Sequence, residues 1–207
     1  MLDSHLIIQA FGSLAVFGVA LIIFLETATI FGSFLPGDSL LFILGLTLAT
    51  WLSEFPVWLA IPIVLAGAIA GSEVGYWFGK KVGPKLFKQR KTFFFNEGTV
   101  VRTKKFFDQY GSRSIILSRF VPGLRALIPM FAAITDFDKK RFLRLNIIGG
   151  AIWVVGLVGA GYGLGQIPFV ERHIELFVIG FVIVSSLPFP FEILREKLKQ
   201  RKSSQNA

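Results

Sequence analysis

Residues 114–135 read SIILSRFVPGLRALIPMFAAIT, an apolar run long enough for a membrane segment but bounded by positive charge at both ends. Upstream, residues 80–113 carry Lys80, Lys81, Lys85, Lys88, Arg90, Lys91, Arg102, Lys104, Lys105 and Arg113 against only Glu97 and Asp108. Downstream stand Lys139, Lys140, Arg141 and Arg144. Loops rich in Lys and Arg stay on the cytoplasmic side, so both ends of this segment belong to the same face of the bilayer. A segment that enters and leaves by one face has to reverse inside it. Pro122-Gly123 and Pro129 permit that by removing helical donors and allowing a tight bend, and the stretch is read as a re-entrant hairpin. Broken backbone survives at membrane depth only when it is buried in protein or lines a wet cavity.

Working outward, further apolar stretches occupy about residues 6–25, 39–52, 57–79, 145–165 and 174–191, in a chain of 207 residues that is 53% hydrophobic, with mean hydropathy +0.65. This is an all-α integral membrane composition. The basic connector and the tail, with Arg195, Lys197, Lys199, Arg201 and Lys202, are placed in the cytoplasm. The connections near Glu54 and Glu171 are placed outside. Phe34-Leu35-Pro36-Gly37 recurs as Phe120-Val121-Pro122-Gly123, 86 positions later, so the chain is read as two halves of an inverted repeat. Each half supplies one Pro-Gly-broken hairpin, and three or four spanning helices complete the fold. The organisation is one membrane domain over 1–207. It comprises a first half 6–79, a basic amphipathic connector 80–113, a second half 114–191 and a basic tail 192–207.

Within the connector, Val100, Thr103, Phe107 and Tyr110 recur at helical spacing and Gly111 is a stop signal. They predict a helix lying on anionic lipid, with a solvated linker as the plainer alternative. Trp51, Trp58, Trp77, Trp153 and Tyr162 fall near span ends and are read as interfacial anchors.

Ionisable residues accompany both breaks: Glu26 and Asp38 around Pro36-Gly37, Arg119 and Arg125 around Pro122-Gly123. At about 2.5–3.5 kcal/mol each at the bilayer centre, four unpaired charges cost roughly 10–14 kcal/mol. The two acids and two bases are therefore expected to meet. A purely structural latch would satisfy that requirement. A functional reading goes further, with Arg119 and Arg125 as a fork for phosphate or carboxylate and Glu26 and Asp38 as balancing or proton-coupling groups. Six positions part the arginines, and the bend between them is what would let both face one centre. Ser33, Glu73 and Ser118 are candidate cavity-lining groups, although serine in membrane helices commonly bonds its own backbone and Glu73 is close enough to Lys80 to sit at the interface.

Other chemistries find little support. The net charge of +9 sits in loops flanking apolar spans, which argues against nucleic acid as a partner. Cysteine is absent, and His5 and His173 are remote from each other in the chain, so neither a metal triad nor a phosphatase histidine pair can be assembled, which leaves a Ser-Lys or carboxylate hydrolase as the enzymatic alternative. The expectation is a protein without enzymatic activity, metal or cofactor. The N-terminus lacks a basic region followed by a cleavage site, so no signal peptide is expected.

Taken in order, Glu26 with Phe34-Leu35-Pro36-Gly37-Asp38, the stretch Gly71 to Gly83 with Gly75-Tyr76 and Gly79, Tyr110-Gly111, Arg119 through Arg125, and Asn146 to Trp153 resemble the DedA family of bacterial inner-membrane proteins, also described by its VTT domain. The resemblance covers about residues 20–160. It implies two opposed re-entrant hairpins and movement of lipid-linked anions dependent on the proton motive force. Undecaprenyl phosphate is the leading substrate for bacterial members, and phospholipid scrambling is the activity of eukaryotic relatives. The family's functional acids and arginines fall on Glu26, Asp38, Arg119 and Arg125. Ser72-Glu73 departs from a pattern that often has Asp after Gly71, and Ala132-Ala133 from one that often has Ala-Gly. The expected function is thus a translocase of a lipid phosphate in the bacterial inner membrane, with anionic lipid and protons as partners and self-association left open. The alternatives are a proton-coupled carrier of a small ion or drug, and a structural membrane-organising protein.

Overall fold

The computed structural model describes residues 4–29, 36–53, 55–88, 97–121, 124–173, 176 and 179–180. Among these every regular element is helical. The helices are α1 (Ser4–Ala28), α2 (Gly37–Ala49), α3 (Val57–Lys88), α4 (Glu97–Tyr110), α5 (Ser114–Leu117), α6 (Leu124–Ile134), α7 (Lys139–Gly165) and α8 (Pro168–Arg172). Short 3-10 turns, Gly111–Arg113 and Ser118–Phe120, flank α5. The apolar segment 174–191 and the basic tail lie outside the described residues except for three positions.

Two helices are long and apolar enough to cross a membrane, Val57–Lys81 within α3 and the 27-residue α7. At 1.5 Å per residue, the 13 residues of α2 and the 11 of α6 reach about 20 and 16 Å, short of a hydrocarbon core of about 30 Å. Segment 114–135 accordingly forms no single helix: short turns carry it to Phe120, and α6 starts afresh at Leu124. Local signals set the boundaries. Gly111 takes φ +52° after α4, the left-handed geometry suited to a helix stop. The Asp138 carboxylate caps α7 by accepting from the Arg141 amide at 2.7 Å. In contrast to the sequence expectation, α3 runs past Lys80 and Lys81 to Lys88, and α7 begins at Lys139 rather than near 145.

Packing follows an exchange. α1 lies along α3 while α2 lies along α7; α5 lies against α7 while α6 lies against α3. In each half, then, the element before the break contacts its own long helix and the element after it contacts the other half's. Small residues make this possible. A Cβ on Gly45 of α2 would stand 2.1 Å from the Val158 carbonyl oxygen, and one on Gly161 of α7 would stand 2.1 Å from that of Phe42. These two backbones touch reciprocally.

Two larger apolar clusters result, beside a small one of Leu46 and Val170. One joins Val16, Ile23, Leu41, Leu44, Val64, Val154 and Val158; the other joins Tyr76, Ile115, Leu124, Ile128 and Phe142. Large apolar side chains such as Phe17, Leu21, Trp58, Trp77, Ile152 and Val155 are left exposed on the outside, as suits a bundle bathed in lipid. α4 does not stand apart on a lipid surface: Thr103 is buried, and Phe107 packs on the rings of Phe131 and Phe137 at 5.4 and 5.9 Å. Tyr110, expected on the same face, is exposed.

Candidate functional site

The charged centre is assembled from the ends of broken elements. α1 delivers Glu26 in its last turn, α2 delivers Asp38 in its first, the 3-10 turn after α5 delivers Arg119, and α6 opens with Leu124-Arg125. Glu26, Arg119 and Arg125 are 3%, 2% and 3% exposed, and the Asp38 side chain is 34% exposed. Of the two breaks, Pro36 and Gly37 are described; Ser33, Pro122 and Gly123 lie outside the described residues.

Arg125 bridges the halves. Its Nη1 donates to Glu26 Oε1 at 2.5 Å, and its Nη2 donates to both Asp38 oxygens at 3.0 Å. Two carboxylates thus saturate the outer edge of one guanidinium, a geometry that arginine's planar fork supports and lysine's point charge does not. Gly37 makes room for it: a Cβ there would fall 1.7 Å from Glu26 Oε2. The Pro36-Gly37-Asp38 sequence therefore starts a helix, opens a hollow for one acid and supplies the other.

Arg119 is held differently from the expected acid-base pairing. Its Nη2 donates to the Ala68 carbonyl at 3.3 Å, to Ser72 Oγ at 2.8 Å and to Asn146 Oδ1. Asn146 in turn donates to the Ile69 carbonyl at 3.3 Å. All three acceptors are uncharged. Arg119 Nη1 is buried without a partner, as are Arg125 Nε and Glu26 Oε2. The acids, then, both serve Arg125, and Arg119 is a buried cation embraced by neutral dipoles.

Trp153 connects the two arrangements. Expected at the interface, it is instead 1% exposed at the centre of the bundle. Its indole Nε1 donates to Asp38 Oδ1 at 2.7 Å, and the guanidinium carbons of Arg125 and Arg119 lie 4.6 and 5.9 Å from its ring. Cation–π attraction is strongest for tryptophan and in a desolvated setting. Trp153 and Asn146, seven residues apart, share one face of α7, and both belong to this centre. Trp51, Trp58 and Trp77 are exposed, as interfacial anchors would be.

The remaining candidates sit at the margin. Ser118 is buried but donates to its own Ile115 carbonyl at 3.0 Å. Glu73 is half-buried beside Asn146, with Oε1 unpartnered, and makes no contact with Arg125. Among the described residues no group of histidine and carboxylate side chains could hold a metal ion. What the centre can do is trade anions: a phosphate or carboxylate oxygen could replace an acid on Arg125, and Arg119 has a donor to spare.

The VTT domain family model matches residues 35–163. Protein DedA of Escherichia coli K12 is 36% identical over 177 residues, covering 86% of this chain and 81% of its own length. An uncharacterized membrane protein of Mycobacterium tuberculosis is 38% identical over 178 residues, covering 86% and 78%. The inner membrane protein YghB of E. coli K12 is 30% identical over 194 residues, covering 88% and 80%. No solved structure matches the chain. A family model spanning most of the helical bundle, and relatives of this identity over about four fifths of their own length, place the chain in the VTT-domain, or DedA, family of membrane proteins.

Proposed function

We propose that the chain is a translocase of a lipid phosphate, of the undecaprenyl phosphate class, linked to the proton motive force and resident in the bacterial inner membrane with its basic connector and tail in the cytoplasm. The observation that carries this reading is the grip of Glu26 and Asp38 on Arg125. A buried cation already neutralised by two acids is stable while empty. It accepts an anionic headgroup when one acid withdraws, and an acid withdraws at low cost only when it takes a proton. Binding of the anion and uptake of a proton are then one exchange.

The exchanged packing of α1, α2, α5 and α6 on α3 and α7 supports two opposed hairpins in an inverted repeat, the plan in which broken helix ends from both halves build a midplane site. An acyl or prenyl tail has somewhere to remain, since the outer faces of α1, α3 and α7 are apolar and exposed. In this reading only the headgroup crosses through protein.

The test is headgroup accessibility in proteoliposomes. The Arg119→Ala/Arg125→Ala variant is expected to lose translocation, whereas wild-type rates in that variant would discard the site. Flux of a soluble anion without lipid movement would favour the carrier alternative.

A further inference from the structure

The two acids on Arg125 are held unequally. Asp38 accepts from Arg125 Nη2 on both oxygens and from Trp153 Nε1 on one of them, and indole nitrogen can only donate. Glu26 accepts once, through Oε1. Its Oε2 is buried and unpartnered, lodged over Gly37 in a space that any Cβ would fill. We propose that the acids divide the work: Asp38 is the fixed counter-ion of Arg125, with Trp153 as its positioning residue, and Glu26 takes up the proton, at the oxygen lying over Gly37.

The exchange balances. A proton from hydronium bonds to Glu26 Oε2 and leaves water, the carboxyl becomes neutral, and Arg125 Nη1 loses an anionic acceptor it can replace with an oxygen of the incoming anion. Release of that anion lets Glu26 return the proton and accept from Nη1 again. The charged groups facing Glu26 are Arg125 from α6, Asp38 from α2 and Arg119 from the 3-10 turn; α3 meets α1 through the uncharged Gly67 and Gly71. Asp38 cannot exchange roles with Glu26 without breaking the indole hydrogen bond as well as both contacts to Arg125 Nη2. This assignment deepens the transport reading and rests on it for its purpose.

It can be measured without transport. Replacing Trp51, Trp58 and Trp77 by Phe leaves Trp153 as the sole indole, next to the charges in question. In vesicles of uncharged lipid without added substrate, Trp153 emission is expected to show one pH step. Glu26→Gln should abolish it and Asp38→Asn should keep it. A step surviving Glu26→Gln, a step lost only in Asp38→Asn, or no step in the parent protein overturns the assignment. Should Glu26→Gln fail to fold, Gly37→Ala retains both acids and fills the hollow. The step should then move by about one pH unit or more, the scale on which local environment acts on a carboxyl group, and an unmoved step overturns the proposal. Flux without the step defeats this assignment alone; the step without flux defeats the transport reading and leaves the assignment standing.

Discussion

At the scale of single residues, the arrangement separates two arginines that look alike in sequence. Removing Arg125 leaves the buried Glu26 beside Asp38 with no cation between them, and breaking a buried pair in this way costs about 3–5 kcal/mol. Arg119 has no carboxylate to strand. Arg119→Met leaves only Ser72, Asn146 and a carbonyl short of one donor, at about 1–3 kcal/mol. Thermal unfolding in detergent should rank Arg125→Met well below Arg119→Met, and equal melting temperatures would refute the division. Trp153→Phe keeps a ring under the guanidinium but deletes the donor to Asp38, a loss of about 1.5–3 kcal/mol for a hydrogen bond to a charged group. Its melting temperature should fall, with the helical content unchanged by circular dichroism.

The four charges were legible in the sequence because hydrocarbon makes unpaired charge expensive, an argument that needs no structure. Their pairing was not, since sign alone allows either arginine to meet either acid. Trp153 was misread for a related reason. Tryptophan near the end of an apolar run suits the membrane interface, and only the register of α7 against α2 turns it inward. A signal was present in Asn146, a polar residue two helical turns earlier on the same face.

Among the helices, backbone contact decides the packing. Gly161 and Gly45 hold α7 and α2 at a distance that no side chain permits, whereas Gly159, two residues before Gly161 and so on the other side of α7, has open space around its Cβ position. Gly161→Ala is expected to destabilise by about 1–3 kcal/mol or more through overpacking, and Gly159→Ala to stay within about 0.5 kcal/mol. Melting temperatures of the pair check this; similar losses from both would mean that α2 and α7 are not in contact. That residues 114–135 form no single helix was readable from proline placement, but the helices they do form were not. α6 keeps Pro129 inside its 11 residues, and α4, which amphipathicity assigns to lipid, also docks on α6 through Phe107. Periodicity marks an apolar face without saying what covers it.

For the whole molecule, two halves exchange their second limbs, so that each long helix supports one element from its own half and one from the other. The repeat of Phe-Leu-Pro-Gly as Phe-Val-Pro-Gly marks the two places where an apolar stretch is interrupted, ahead of α2 and of α6. Which limb packs on which helix is a long-range property that four matched residues do not encode. The consequence is that the charged centre joins residues 26, 38 and 125, and its stability belongs to the association of the halves.

That claim is tested most directly by a double-mutant cycle between the halves, with Glu26→Gln, Arg125→Met and the two combined, followed by unfolding. Because Arg125→Met strands Glu26, the second substitution should recover part of the loss, leaving a coupling of about 1–3 kcal/mol. Strictly additive effects would mean that Glu26 and Arg125 do not meet, and would contradict the site from which the function has been argued.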